Sequence, residues 1–242
     1  MADIEVDCQN MNRENVNYIS RMDFFREVGF PYEEFFTRWD SSGRFIPITR
    51  VRKENRFQIV EKIKKIMESQ WSGLNRELLS LIDWSLGEIV DNIFTHSRTK
   101  IDGFVVAQYY SASSEIQIAV IDTGIGIPNR LRENREYQRV SNEEALRLAV
   151  EERVTSDSFG NGGNGLYYTK RIIQENQGKL RITSDDVQLV IWGSHQYTCM
   201  VPRWSGTIVE LEIRTDVPVQ PEQIWEQDIP PLIADYLEGD LW

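Results

Sequence analysis

The stretch Asp122-Thr123-Gly124-Ile125-Gly126-Ile127-Pro128 follows a strand-like run, 115–121, in which isoleucine and valine recur at every second position. On an extended strand these apolar residues share one face with Asp122, so a carboxylate ends an apolar row. Burying that charge is costly unless it has hydrogen-bond donors, and the exocyclic amine of adenine is one such donor. Asp122 is therefore a candidate base-reading residue.

The two glycines of this stretch, Gly124 and Gly126, predict a sharp backbone turn that comes close to a flat ligand, because no Cβ stands in the way. A second interpretation is that Asp122 only caps the amide groups of its own loop, which is a common role for aspartate. The stretch by itself leaves both interpretations open.

A second motif, Glu88-Ile89-Val90-Asp91-Asn92, lies upstream on a predicted long helix from about 75 to 96. Glu88 and Asn92 are four residues apart, so their side chains project from one helix face. Glu88 is a candidate general base and Asn92 a candidate oxygen ligand for Mg²⁺. The alternative is a solvated polar stripe. The helix is predicted from apolar residues at three- and four-residue steps: Leu79, Ile82, Leu86, Ile89 and Ile93.

A third motif, Gly160-Asn161-Gly162-Gly163-Asn164-Gly165-Leu166, precedes a predicted helix that begins near Gly165. Unpaired amide groups and the positive end of the helix dipole would face the loop, and phosphate oxygens are their natural ligand. The run lacks the GKS or GKT ending of a P-loop, so that fold is not indicated. A flexible connection is the alternative interpretation.

A late strand, Gly206 to Arg214, carries Thr207 on the same face as Val209, Leu211 and Ile213. Thr207 would then reach the interior that holds Asp122, where its hydroxyl could help to read a base. An ordinary strand threonine is the alternative.

The remaining pattern predicts helices on one face of a mainly antiparallel sheet. We expect one helix from Glu14 to Val28, an edge or bulged strand around Pro47, and a helix around 57–67. Strands 103–110 and 115–122 form a predicted hairpin, a helix covers 142–150, and a mobile loop covers 151–164. Four short strands are expected near the carboxyl end: 180–184, 188–192, 196–201 and 206–214.

Composition limits the function. The net charge of −11 argues against nucleic-acid binding through phosphate contacts, which needs concentrated lysine and arginine. We find no run long enough for a membrane span and no signal peptide at the amino end, so we expect a cytoplasmic protein with no membrane partner. Cys8 and Cys199 belong to no paired motif and are read as ordinary thiols.

Together, in this order and at these spacings, the motifs resemble the GHKL ATPase superfamily, which includes the ATP-binding domains of gyrase, heat-shock chaperones, mismatch-repair proteins and histidine kinases. The resemblance covers about 78–214. Glu88 and Asn92 match the family's N box, Asp122, Gly124 and Gly126 match its G1 box, and Thr207 matches the threonine of its final GT-containing strand. Its G2 box is matched by Gly163, Gly165 and Leu166.

The resemblance implies a Bergerat-type α/β (α+β) sandwich with a mostly antiparallel mixed sheet covered by helices on one face. It also implies Mg·ATP beneath a lid at about 151–164, with Glu88 as the catalytic carboxylate. Asn92 would bind the metal, and Gly162 would lie in the phosphate loop with the G2 glycines. We expect three regions: an N-terminal extension, 1–73, the ATP-binding domain, 74–216, and an acidic tail, 217–242.

Two branches of the family fit poorly. Histidine kinases need a phosphoacceptor histidine on an upstream hairpin, and residues 1–95 contain no histidine. Gyrase-like clamps use a second domain, and only a short segment follows Arg214 in this sequence. The chain is most similar to stand-alone bacterial GHKL proteins, including anti-sigma-type serine/threonine kinases that act on STAS-domain partners.

We therefore expect ATP hydrolysis or phosphoryl transfer to a partner protein, and the resemblance to anti-sigma-type kinases implies a STAS-like partner. The alternatives are a non-catalytic, nucleotide-gated interaction module and a degenerate fold without nucleotide. The N-terminal helices are candidate surfaces for a partner or a homodimer.

Overall fold

The computed structural model describes residues 12–41, 43–95, 101–152, 154 and 164–224. In chain order the elements are α1 (Arg13–Arg21), α2 (Phe24–Glu27), β1 (Phe45–Val51), α3 (Arg56–Gln70), α4 (Arg76–Thr95), β2 (Gly103–Tyr110), β3 (Glu115–Ile121), α5 (Ile127–Leu131), a 3-10 turn (Arg135–Tyr137), α6 (Asn142–Leu148), α7 (Gly165–Glu175), β4 (Lys179–Trp192), β5 (His195–Arg214) and α8 (Pro221–Ile224). The strands form one sheet in the order β1-β2-β3-β5-β4, and every neighbouring pair is antiparallel.

One face of this sheet forms the hydrophobic core. The buried residues of β3 lie opposite buried residues of β5, with Ile116 beside Ile213 and Ile118 beside Leu211. Helices α3, α4 and α7 cover this face with their own apolar sides. Each fully buried isoleucine or leucine side chain stabilises the folded state by about 1.5–3 kcal/mol relative to the same side chain left exposed. The predicted fold class, helices layered on one face of an antiparallel sheet, is confirmed.

The N-terminal elements β1 and α3 belong to the same sheet and core. β1 lies at the sheet edge beside β2, and its register shifts between Ile46 and Thr49, around Pro47. Proline lacks the N–H that a ladder needs, so both the edge position and the irregularity follow from the sequence. In α3, Ile63 and Met67 are fully buried.

The prediction of one helix from Glu14 to Val28 is wrong. The chain forms α1 and α2 with a break at Asp23, whose φ of 61° is left-handed. Aspartate tolerates this conformation better than most residues. Its carboxylate is buried and forms ion pairs with Arg26 and Arg38, at 3.1 and 2.9 Å. The Arg38 pair joins residues 15 positions apart, so helical periodicity along the chain does not report it.

The prediction of four short C-terminal strands is also wrong. They merge into the two long strands β4 and β5, which pair from Lys179–Glu212 to Trp192–His195. Only 208–214 of β5 also pairs with β3, so the far part of the hairpin extends past the sheet and packs against α6. A groove of about 380 Å³ lies there, and none of the candidate site residues lines it.

Candidate functional site

Asp122 lies where β3 ends, and its side chain is buried, with 7% of the residue exposed. Its carboxylate Oδ1 accepts a hydrogen bond from the Gly124 amide at 2.7 Å, and the Thr207 hydroxyl also bonds the carboxylate. Burial raises the pKa of Asp122 to about 6, although these hydrogen bonds act in the opposite direction. The interpretation that Asp122 caps the amide groups of its own loop is confirmed. Its role in reading a nucleobase stays a prediction.

The loop after Asp122 passes very close to β5. Gly206 has a φ of 110°, and a Cβ on it would lie 2.3 Å from the Asp122 carbonyl oxygen. Gly126 has a φ of 78°, and a Cβ there would lie 2.6 Å from the Ser184 Oγ. Both positions therefore require glycine for two reasons, the left-handed backbone and the space. The predicted sharp turn at Gly126 is present.

Glu88 and Asn92 lie on α4, each half-buried, while their neighbours Ile89 and Ile93 are buried in the core. Burial raises the pKa of Glu88, and the negative charge of Asp91 raises it further. Asp91 itself pairs with Arg56 of α3, whose Nε lies 2.9 Å from its Oδ1. A carboxylate and an amide thus stand side by side on the edge of the core, as predicted.

Helix α7 begins at Gly165, directly against Glu88. A Cβ on Gly165 would lie 2.5 Å from the Glu88 Cβ, so only glycine allows this approach of the two helices. The first amide groups of α7 have no partner within the helix, and they lie next to Glu88, the candidate general base. Leu166 packs against the core. Gly162 and Gly163, with most of the predicted lid, lie outside the described residues.

The carboxyl end of α4 lies close to the carboxyl end of β3, which Asp122 follows. Gly103 lies between them: a Cβ on it would be 2.7 Å from the Ile93 side chain and 3.0 Å from the Ile121 carbonyl oxygen. Ile93 follows Asn92 and Ile121 precedes Asp122, so this contact brings the first two motifs together. Glu88, Asn92, Asp122, Gly165 and Thr207 therefore lie on adjoining elements.

Three residues of this region were missed by the sequence reading. Ser184 is fully buried, accepts from the Ile127 amide at 3.0 Å and donates to the Gly206 carbonyl at 2.7 Å. The Trp204 indole N–H donates to the Asp122 carbonyl at 2.9 Å, and the Ser205 hydroxyl donates to the Gly124 carbonyl at 3.2 Å. The only available signal was that Trp204 and Ser205 immediately precede Gly206-Thr207 in the sequence.

These features agree with a family comparison. The family model described as histidine kinase-, DNA gyrase B-, and HSP90-like ATPase matches residues 82–216, which is more than half of the chain and spans every candidate site residue. The chain belongs to this family. It is thus a GHKL protein with an ATP-binding domain of the Bergerat type. No curated protein shows significant sequence similarity to it.

Two further observations concern metals and membranes. Within the described ranges of this GHKL protein, no three histidine, cysteine, aspartate or glutamate side chains converge to hold a metal ion. Asn92, half-buried on α4, offers a side-chain oxygen of the kind that Mg²⁺ accepts, and Mg²⁺ commonly takes further ligands from phosphates and water. None of the helices in these ranges combines the length and apolar character that crossing a membrane requires.

Proposed function

We propose that this GHKL protein uses Mg·ATP as a substrate, either hydrolysing it or transferring its γ-phosphoryl group to a serine or threonine hydroxyl of a partner protein. The contact between Glu88 and Gly165 carries the proposal. It supports a general base standing beside the amino end of α7, where phosphate oxygens would bind. The resemblance to anti-sigma-type kinases favours a partner with a STAS-like domain.

In this reaction Glu88 takes the proton of the attacking water or hydroxyl. The new O–P bond forms as the bond between the γ-phosphorus and the β–γ bridging oxygen breaks, and ADP leaves. A raised pKa makes Glu88 a stronger base than an ordinary surface glutamate. Asn92 would hold Mg²⁺, which neutralises phosphate charge when bound. The amides at the start of α7 would bind the phosphate oxygens.

We expect Glu88→Gln to lower phosphate release from Mg·ATP at least about 100-fold, because the amide accepts no proton. ATP affinity should change little, since the side chain keeps its shape. The measurement is phosphate release alongside ATP binding by calorimetry. Glu77→Gln is the matched control, because Glu77 lies exposed in the first turn of the same helix.

Full activity in the Glu88→Gln protein would remove Glu88 from its role as the base. Phosphate release lost equally in the Glu77→Gln protein would show that any charge change on α4 is damaging, and that too would contradict the assignment. Radiolabel transferred from γ-labelled ATP to an added STAS-domain protein would distinguish a kinase from a hydrolase.

A second candidate function is a nucleotide-gated interaction module that holds a partner without chemistry. The observation in its favour is that several large apolar side chains lie on the surface, where a partner could cover them. Trp39 is 82% exposed, and Met200 and Trp192 lie exposed on the β4–β5 hairpin. ATP binding that changes hydrogen exchange without any phosphate release, with a partner present, would favour this function.

A further inference from the structure

Strand β5 contains a bulge beside the loop that begins at Asp122, the candidate residue for recognising adenine. Ser184 pairs with Thr207, but the next residue of β4, Asp185, pairs with Trp204, so Ser205 and Gly206 have no opposite residue in the ladder. Bulges of this kind redirect side chains and are common next to active sites. In this bulge the redirected residues face the loop that begins at Asp122.

The bulge contacts that loop at successive points. The Trp204 indole N–H bonds the Asp122 carbonyl, and the Ser205 hydroxyl bonds the Gly124 carbonyl. The Asp122 amide in turn donates to the Thr207 carbonyl at 2.9 Å. Both main-chain polar groups of Asp122 are therefore held by β5, on either side of the bulge. The orientation of its carboxylate consequently depends on β5 as well as on β3.

We propose that Trp204 is a specificity-determining positioning residue, whose indole N–H fixes the Asp122 main chain so that the carboxylate distinguishes purines with a 6-amine from purines without one. The proposal rests on the proposed role of Asp122 as the base reader. Trp204 does not bond the base itself. It acts through the Asp122 carbonyl, which no other described side chain is seen to bond.

Hydrogen bonds to charged groups contribute about 1.5–3 kcal/mol, so the wild-type protein should prefer ATP over purine riboside triphosphate about 10- to 100-fold. Trp204→Phe removes the N–H donor and keeps an aromatic ring. We expect this preference to fall about fivefold or more, because small misplacements of a binding group weaken directional contacts. The measurement is the ratio of the two dissociation constants by calorimetry.

Trp192→Phe is the matched control, since Trp192 lies exposed at the far end of the same hairpin and makes no contact with the loop that carries Asp122 among the bonds described. It should keep the wild-type ratio. If Trp204→Phe folds poorly, Trp204→Leu serves as the second variant, because it keeps an apolar side chain and has no hydrogen-bond donor.

The proposal is supported if the preference for ATP over the analogue falls in the folded Trp204 variants and not in Trp192→Phe. A wild-type ratio in those variants overturns it while leaving Asp122 as the base reader. A wild-type protein that binds ATP and the analogue equally would overturn both, and a wild-type protein that binds neither would reject the proposed use of ATP as well. The wild-type measurement thus separates failure of the proposed function from failure of the Trp204 role.

Discussion

At the residue scale, Asp122 shows most directly how the fold shapes the site. Burial opposes ionisation of its carboxyl group, while the Gly124 amide and Thr207 favour the charged form. Burial has the larger effect, so the pKa rises to about 6. A ligand amine that donates to the charged carboxylate would offset this cost. The free protein is therefore expected to be destabilised by the negative charge on this buried carboxylate.

Asp122 should make stability depend on pH. The pKa of Asp122 is about 6 in the folded protein, above its ordinary value of 3.8, so the folded chain binds the proton more tightly. The stabilisation that comes from binding this proton is thus fully present below about pH 3.8, and it is lost as the pH rises through about 6. We expect the free energy of unfolding, relative to Asp122→Asn, to fall by about 2–2.5 kcal/mol between pH 4 and pH 7.

Urea unfolding of both proteins at several pH values would measure this difference. Because the asparagine oxygen can still accept from the Gly124 amide, the variant should fold, and it should be at least as stable as the wild type near neutral pH. A difference in unfolding free energy that does not change with pH would contradict the raised pKa of Asp122.

At the element scale, the essential feature is the approach of α7 to α4. Gly165 begins α7 and lies against the Glu88 side chain, which leaves no room for a methyl group. The Thr169 hydroxyl donates to the Gly165 carbonyl at 2.7 Å and so supports the first turn from within the helix. The distance between Glu88, the candidate general base, and the amino end of α7 therefore depends on one glycine, Gly165.

Gly165→Ala should separate the two helices and destabilise the protein by about 1–3 kcal/mol, the usual cost of overpacking. It should also weaken ATP binding, because the amides of α7 move away from Glu88. Gly87→Ala is a matched control, since nothing lies within 4 Å of a Cβ at Gly87 on α4. That change should instead stabilise the helix by about 0.5–1 kcal/mol.

Melting curves and ATP titrations of both variants would check this prediction. If Gly165→Ala bound ATP as tightly as the wild type and melted no lower, the close contact would have no consequence for the site.

At the scale of the whole molecule, the N-terminal elements and the ATP-binding region share a core. β1 extends the sheet beside β2, and α3 lies between that edge and α4. Ile59, Ile63, Ile66 and Met67 of α3 are each at most 2% exposed. Arg56, at the start of α3, also pairs with Asp91 in the first motif. A change in α3 should therefore also affect the candidate nucleotide site.

Ile63→Ala should lower the free energy of unfolding of the entire protein by about 2–5 kcal/mol, because it leaves a cavity in the shared core. Fluorescence and circular dichroism should report one transition that shifts as a whole. Ile101→Ala, at a position that is 52% exposed, should change stability by less than about 0.5 kcal/mol. Two transitions, of which only one responds to Ile63→Ala, would show that α3 belongs to a separate folding unit.

Much of this molecule was predictable because its signals are local. Alternating apolar residues predict β2 and β3, and apolar residues at three- and four-residue steps predict α4. The order of the three motifs indicates the GHKL family, which the family comparison confirms. The break at Asp23 and the continuous strands β4 and β5 were not predicted, because distant ion pairs and long-range pairing override local propensity there.

The sequence by itself determined the family and placed the Asp122 carboxylate on an apolar strand face, because the period of a strand and the spacing of a motif are read along the chain. Only the tertiary structure decided that Gly165 touches Glu88 and that Trp204 bonds the Asp122 carbonyl. Each contact joins residues more than 70 positions apart, so it depends on how sheet register and helix packing bring separate elements together.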